Sequence, residues 1–153
     1  MRLVDINPNS FDFKIAVKLF FMMNDIFLIN PDLEELCDGF IPIYDMKGVT
    51  YRHLTKIVIS TLKIFMSYTQ IAMPLRLKHL HVLNCSPIVD SIFSILKPFM
   101  SSKVAELIHL HVPDSESVFK FIPKDIFPEE YGGSGSSMIE LKAKCVKTFE
   151  NHK

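Results

Sequence analysis

The sequence predicts an α/β layer architecture, and three observations carry that prediction. Residues 39–46 form an apolar run with hydrophobic side chains on both alternating faces, the pattern of a strand in a parallel sheet. Segments with helical periodicity, residues 50–71 and 87–99, separate it from two further strand-like runs at 77–83 and 107–112. Connections of that length fit right-handed crossovers between parallel strands. With 153 residues the chain holds one domain.

The elements follow in order. Ser10 is placed to cap a helix over residues 11–29, in which Lys14, Lys18, Phe21 and Asp25 make a narrow, mostly polar stripe. Ala16, Phe20, Met23 and Phe27 cover one flank and Ile15, Leu19, Met22 and Ile26 the next, so this helix is expected to be covered over most of its circumference. Asn30-Pro31 stops it. In the strand at 39–46, Phe40, Tyr44 and Met46 share one face and Ile41 and Ile43 the other. Pro42 conflicts with it, because proline withholds a ladder donor and marks an edge or a bulge.

Lys47-Gly48 turns the chain and Thr50 opens a single long helix to about residue 71, with Leu54, Ile57, Val58, Thr61, Phe65 and Tyr68 aligned on one side. In the next strand, 77–83, Leu80 and Val82 share a face and His79, His81 and Leu83 share the other. Ser86-Pro87 starts a strongly apolar helix, with the Ser86 hydroxyl as N-cap and proline at the first helical position, and Pro98 kinks or ends it. The Ser101-Ser102 pair opens a short helix before the strand at 107–112. Residues 115–122 add a helical turn or two, 123–128 form a loop, the run from Gly132 to Ser137 is a flexible joint, and 137–147 begin a last helix.

Composition limits the function. Lysine plus arginine and aspartate plus glutamate number 17 each, and the isoelectric point lies near 7.0, which argues against a nucleic-acid partner held by phosphate neutralisation. The 48% hydrophobic content, with 13 Phe and 8 Met, excludes a disordered or collagen-like chain. Cys37, Cys85 and Cys145 are odd in number and far apart, so neither a disulfide framework nor metal-ligand spacing is expected, and a reducing compartment is. Neither a secretory signal nor a membrane span is legible, so a cytoplasmic, soluble protein is expected.

Catalytic motifs are weak. His79-x-His81 and His109-x-His111 bring four imidazoles together if their strands are neighbours, but strand histidines more often satisfy hydrogen bonds than bind zinc. The Gly-rich run around Ser134 has serine where a nucleophile elbow needs glycine, and it follows a loop instead of a strand. No phosphate-binding loop is present. Asp45 and Asp90 fit capping or turn roles. The reading is of no catalytic residue, no metal, no cofactor and no enzyme. A surplus of apolar helix faces is left over, which either an ordinary core or an internal apolar cavity would use.

The segments Ile43-Tyr44-Asp45-Met46-Lys47-Gly48-Val49-Thr50, Pro74-Leu75-Arg76-Leu77, His81-Val82-Leu83-Asn84, Lys97-Pro98-Phe99, Ile108-His109 and Pro128-Glu129-Glu130-Tyr131-Gly132-Gly133 together resemble the CRAL-TRIO lipid-binding domain in order and spacing. The likeness runs from about Arg2 to Lys147 and is greatest to insect members similar to alpha-tocopherol transfer protein and cellular retinaldehyde-binding protein. It implies a mixed, largely parallel sheet flanked by helices, enclosing a hydrophobic pocket behind a mobile helical gate.

By matching positions, the resemblance places Met23, Ile26, Phe27, Phe40, Tyr44, Ile57, Phe65, Leu75, Leu77, Leu80, Val89, Phe93 and Leu96 in the pocket wall, and Pro87, Ile88, Val89, Ile92, Phe93, Leu96 and Phe99 in the gate. Lys78 and Lys103 match a basic cluster that engages phosphoinositides in some relatives; the third position is Leu107 here, and Lys97 lies beside them as a further membrane contact. The whole chain, 1–153, corresponds to one such domain without the helical segment that usually precedes it. It opens within the first strand, at Arg2-Leu3-Val4, and is either a fragment or a naturally short form.

The expected function is intracellular binding and transfer of one small hydrophobic lipid, such as a retinoid, tocopherol, carotenoid or sterol-like molecule. The expected carrier is a monomer that meets a membrane surface, including one that contains phosphoinositide, only transiently. The alternative is a protein-interaction or regulatory module on the same fold without lipid cargo.

Overall fold

The computed structural model describes residues 1–29 and 39–151. Helix α1 (Phe13–Ile29) is capped by Asp12, not Ser10: the Asp12 carboxylate accepts from the amides of Lys14 and Ile15 at 2.8 and 3.2 Å. The Asn30-Pro31 stop and Cys37 lie outside the described residues. Val17 and Phe20 are buried, and the Phe20 and Phe21 rings meet Phe65 and Tyr68 with centroids 5.0 and 4.8 Å apart. The expectation that α1 is covered nearly all round is overturned, since Ile15 (66%), Leu19 and Met22 are exposed. Among the described residues α1 packs chiefly on one helix, and only the flank turned to that neighbour is removed from water.

Strand β1 (Ile43–Asp45) is shorter than its apolar run. Pro42 has no amide to donate but accepts from the His81 amide at 3.0 Å, and Phe40 meets Leu77 only in an isolated bridge. Arg2 bridges Asp45 in the same way, so the expected first strand is a single rung.

The long helix expected from Thr50 is interrupted. Helix α2 (Tyr51–Leu54) opens with a capping box in which the His53 ring substitutes for the usual carboxylate: its Nδ1 accepts from the Thr50 amide at 3.0 Å. Val58 is extended (φ −96°, ψ 111°), within a run of three β-branched residues that disfavours helix, and α3 (Ile59–Ser67) begins anew. It runs on into a π-helical turn, Tyr68–Ala72.

Strands β2 (Leu80–Leu83) and β3 (Ile108–Leu110) complete a parallel sheet in the order β1-β2-β3. Helix α4 (Ile88–Leu96) and a 3-10 turn (Lys97–Phe99) cross between β2 and β3, with Pro98 at the start of the turn. The N-cap residue of α4 is Pro87; Ser86 takes part through its carbonyl, which accepts from the Val89 amide at 2.9 Å. Helix α5 (Ser102–Ala105) is capped by the Ser101 hydroxyl, as expected.

The register puts Ile43, His81 and His109 in one row across one face and Tyr44, Val82 and Leu110 across the other. The core on the first face is Leu83 with Val118, Ile122 and Phe127, supported by Ile43, Phe119 and Tyr131. It is supplied by three 3-10 turns, Glu116–Lys120, Lys124–Ile126 and Glu129–Tyr131. The glycine run that follows is a packed strap instead of a joint. Gly135 donates to the Phe127 carbonyl at 2.8 Å, and a Cβ at Gly133 would stand 1.9 Å from that same oxygen. Its glycines allow close backbone approach. Helix α6 (Met138–Asn151) closes the chain, its first amide held by the Glu130 carboxylate at 2.8 Å.

Candidate functional site

An apolar groove of about 370 Å³ runs between α1 and the β1 edge. Phe20 and Met23, three apart on α1, face it from one side; Phe40, Ile41, Pro42, Ile43 and Tyr44 form the other; Leu75, Met1, Asn24 and Gly39 complete its lining. The sequence folds this way because the chain at Phe40 is laced to the segment before β2: the Phe40 amide donates to the Arg76 carbonyl at 2.9 Å and its own carbonyl accepts from the Lys78 amide at 3.1 Å. Gly39 permits that approach, since a Cβ there would lie 2.3 Å from the Arg76 oxygen.

The groove is chemically quiet. Asn24 turns its amide nitrogen back to the Phe20 carbonyl at 2.8 Å, and burial pushes the Tyr44 phenol up to about 12, so it stays neutral. Among the described residues no charged side chain lines the groove, and the Met1 ammonium at its edge donates to the Ile43 carbonyl.

Of the pocket positions implied by resemblance, Met23, Phe40, Tyr44 and Leu75 line this groove. Phe65 is spent on the aromatic contact between α1 and α3, Leu77 is half-buried and does not line the groove, and Val89 is buried in α4. Ile26, Ile57, Leu80, Phe93 and Leu96 are half-buried and do not line it, while the Phe27 side chain lies outside what the structure describes. Sequence reasoning missed Phe20 and Ile43 as lining residues; the i, i+3 pair of Phe20 with Met23 was the available signal for the first.

The gate segment is strongly two-faced. Ile88 and Val89 are buried, Ile92, Phe93, Leu96 and Phe99 half-buried, and Pro87, Asp90, Ser94 and Lys97 exposed. Its far end is pinned from the π-helical turn: Gln70 donates to the Phe99 carbonyl and accepts from the Ser101 amide, both at 2.8 Å. Sequence periodicity carried no hint of this double contact. Lys97 and Lys103 are exposed in the 3-10 turn after α4 and in α5, and Lys78 is half-buried ahead of β2.

Elsewhere polar groups are held by structure. Asp45 is 4% exposed at the end of β1, and its carboxylate accepts from Asn84 at 2.7 Å, the Lys47 amide at 2.9 Å and the Tyr131 hydroxyl at 2.7 Å. Burial pushes its pKa up, but those three donors and the nearby Arg2 charge outweigh it and hold the group below the usual value. Burial and the Asp45 contact raise the Tyr131 phenol to about 12. Ser134 is exposed in the strap, and Asp90 is exposed in the first turn of α4. The four histidines do come together, paired by hydrogen bonds; among the described residues no three of His, Cys, Asp and Glu are arranged to hold a metal ion. No helix among those residues is long and apolar enough to cross a membrane.

Comparison with known proteins identifies the family and the fold. The human protein named alpha-tocopherol transfer protein-like is 32% identical over 105 residues, covering 69% of this chain and 31% of that protein. Clavesin-1 of Xenopus laevis is 29% identical over 103 residues, covering 67% and 31%. The chain therefore spans about a third of the length of the curated relatives it matches. The crystal structure of Sfh5 superposes with a TM-score of 0.55 at 16% identity, over 83% of this chain and 48% of that one, which establishes the shared fold. The profile of the CRAL/TRIO domain matches residues 1–133, from the Arg2 bridge through the parallel sheet, α4 and the Tyr131 turn, and the chain belongs to the CRAL/TRIO domain family.

Proposed function

We propose that this chain binds one small, uncharged hydrophobic lipid and passes it between membranes, with α4, which does not line the groove, as the segment that meets the membrane. The observation that carries the reading is the groove: about 370 Å³ lies within the range of small-ligand sites, and its lining is apolar with Asn24 and Tyr44 as neutral polar groups. Such a lining suits a ligand with one hydroxyl on an isoprenoid or sterol-like body, a tocopherol or retinoid class, better than a charged phospholipid headgroup.

At roughly 0.8 kcal/mol per methylene, burying about ten of them gains about 8 kcal/mol over water, close to what a bilayer offers the same molecule. Exchange between protein and membrane is then nearly balanced, and its barrier is exposure of the ligand on the way. Seating α4 on a membrane, with Ile92, Phe93 and Leu96 dipping into lipid, brings the groove close to the bilayer and shortens that exposure. Lys78, Lys97 and Lys103 are the cations for an anionic surface, at about 1 kcal/mol each when close to it.

The test is transfer of a fluorescent tocopherol or retinoid between vesicles. Phe93→Asp is expected to lower the transfer rate at least tenfold while shifting the melting temperature by only a few degrees; proportionate losses in both would reduce α4 to plain core. The exposed α1 flank at Ile15, Leu19 and Met22 favours a second reading, a protein-docking module without cargo. Mass spectrometry of an organic extract of the purified chain separates the two, a one-to-one lipid supporting the carrier and its absence the module.

A further inference from the structure

The groove at the β1 edge makes no use of the histidines on β2 and β3. His81 and His109 are register partners on β2 and β3, and His79 and His111 flank them, so four imidazoles share one patch. His79 Nδ1 lies 3.0 Å from His109 Nε2, and His81 Nδ1 lies 2.9 Å from His111 Nε2. The His81 ring centroid is 5.1 Å from both His109 and His111. Phe121 lies over the patch, 4.3 Å from His109 and 5.0 Å from His81 between centroids. The turn that carries Phe121 is tied down at its other end: His111 Nδ1 meets the Ser117 hydroxyl at 2.6 Å, and Ser115 donates to Ser117 at 2.8 Å.

Each imidazole pair needs one bare nitrogen, so the His81–His111 and His79–His109 bonds each tolerate one doubly protonated ring but not two. His81 is 0% exposed, and among the described residues its Nε2 has no hydrogen-bond partner.

Among the described residues no carboxylate bonds to these rings. On the same face, Asp45 of β1 is engaged by Asn84, Lys47 and Tyr131. On the cover, Glu116 and Lys120 point to solvent, and Glu116 pairs with Lys124 at 3.3 Å. Beside the patch stand Lys78, next to His79, and the Cys85 thiol, which donates to the Val82 carbonyl at 3.1 Å. Burial first, and then the other imidazoles, lower His81 to about 4; burial and His109 lower His111.

We propose that this histidine ladder is an acid-operated release, which lifts the 115–122 cover off the sheet on mild acidification and exposes Val118 and Ile122. It stands whether or not the groove carries lipid. A ring that titrates ordinarily once released, but resists protonation while covered, binds more protons in the released state at every pH between about 6.5 and about 4. Release is therefore favoured as pH falls through that window and suppressed above it, and His81 alone raises the released fraction about twentyfold from pH 7 to pH 5.

Amide hydrogen exchange on the intact chain, corrected for intrinsic rates, tests it. The Phe121 and Ile122 amides, both bonded to the Val118 carbonyl, are expected to lose at least tenfold in protection at pH 5 relative to pH 7, while the His81 amide, bonded to Pro42 in the sheet, keeps its own. His109→Gln removes one repelling neighbour and is expected to flatten the response; His79→Gln serves if that variant fails to fold. Equal protection of the cover at both pH values overturns the proposal, as does loss spread evenly over the sheet. Ordinary titration of the His81 ring by NMR with the cover still protected overturns it too.

Discussion

Asp45 shows how much one side chain can hold. It ends β1, and through its carboxylate it joins the β1–α2 turn, the residue after β2 and a tyrosine 86 positions away. Removing one donor leaves a buried oxygen partly unpaired, which costs more than the bond itself contributes. Tyr131→Phe is accordingly expected to destabilise the chain by about 1–3 kcal/mol without changing the denaturant slope, measured as a lower urea midpoint. The carboxylate was legible in the sequence as a turn residue, because an Asx turn needs only the amide two residues on. Asn84 and Tyr131 were not, because neither is near it along the chain.

Single elements differ from their sequence patterns wherever a neighbour intervenes. The break at Val58 divides one long helical periodicity into α2 and α3, and the π-helical turn places Gln70 where it grips both sides of Met100, at Phe99 and Ser101. The Gly-Ser strap is the sharpest case. Its composition is that of a flexible linker, yet its backbone is bonded to Lys124, Phe127 and Pro128. Gly133→Ala is expected to be severely destabilising, since the added Cβ would meet main-chain atoms of Phe127 that cannot step aside; a melting temperature within about 2 °C of the parent chain would refute the packing seen here.

For the molecule as a whole, a carrier must gain from its cargo. If a neutral lipid fills the groove, a free concentration 100-fold above its Kd stabilises the folded chain by about 2.7 kcal/mol, so the melting temperature rises with tocopherol or retinol and does not with an equally apolar molecule too large to enter. The sequence by itself determined the α/β class, the order of the strands and crossover helices and the polar and apolar sides of α4, because these follow from local periodicity and from motifs at short spacing. Tertiary structure alone decided which apolar faces found a partner: Phe20 entered the groove wall and Ile15 stayed in water, though both lie on one helix. It also decided that four histidines from two strands share one proton-sensitive patch. Periodicity states which side of an element is apolar, but burial and pKa depend on what is packed against it, and that is set by contacts between residues far apart in the chain.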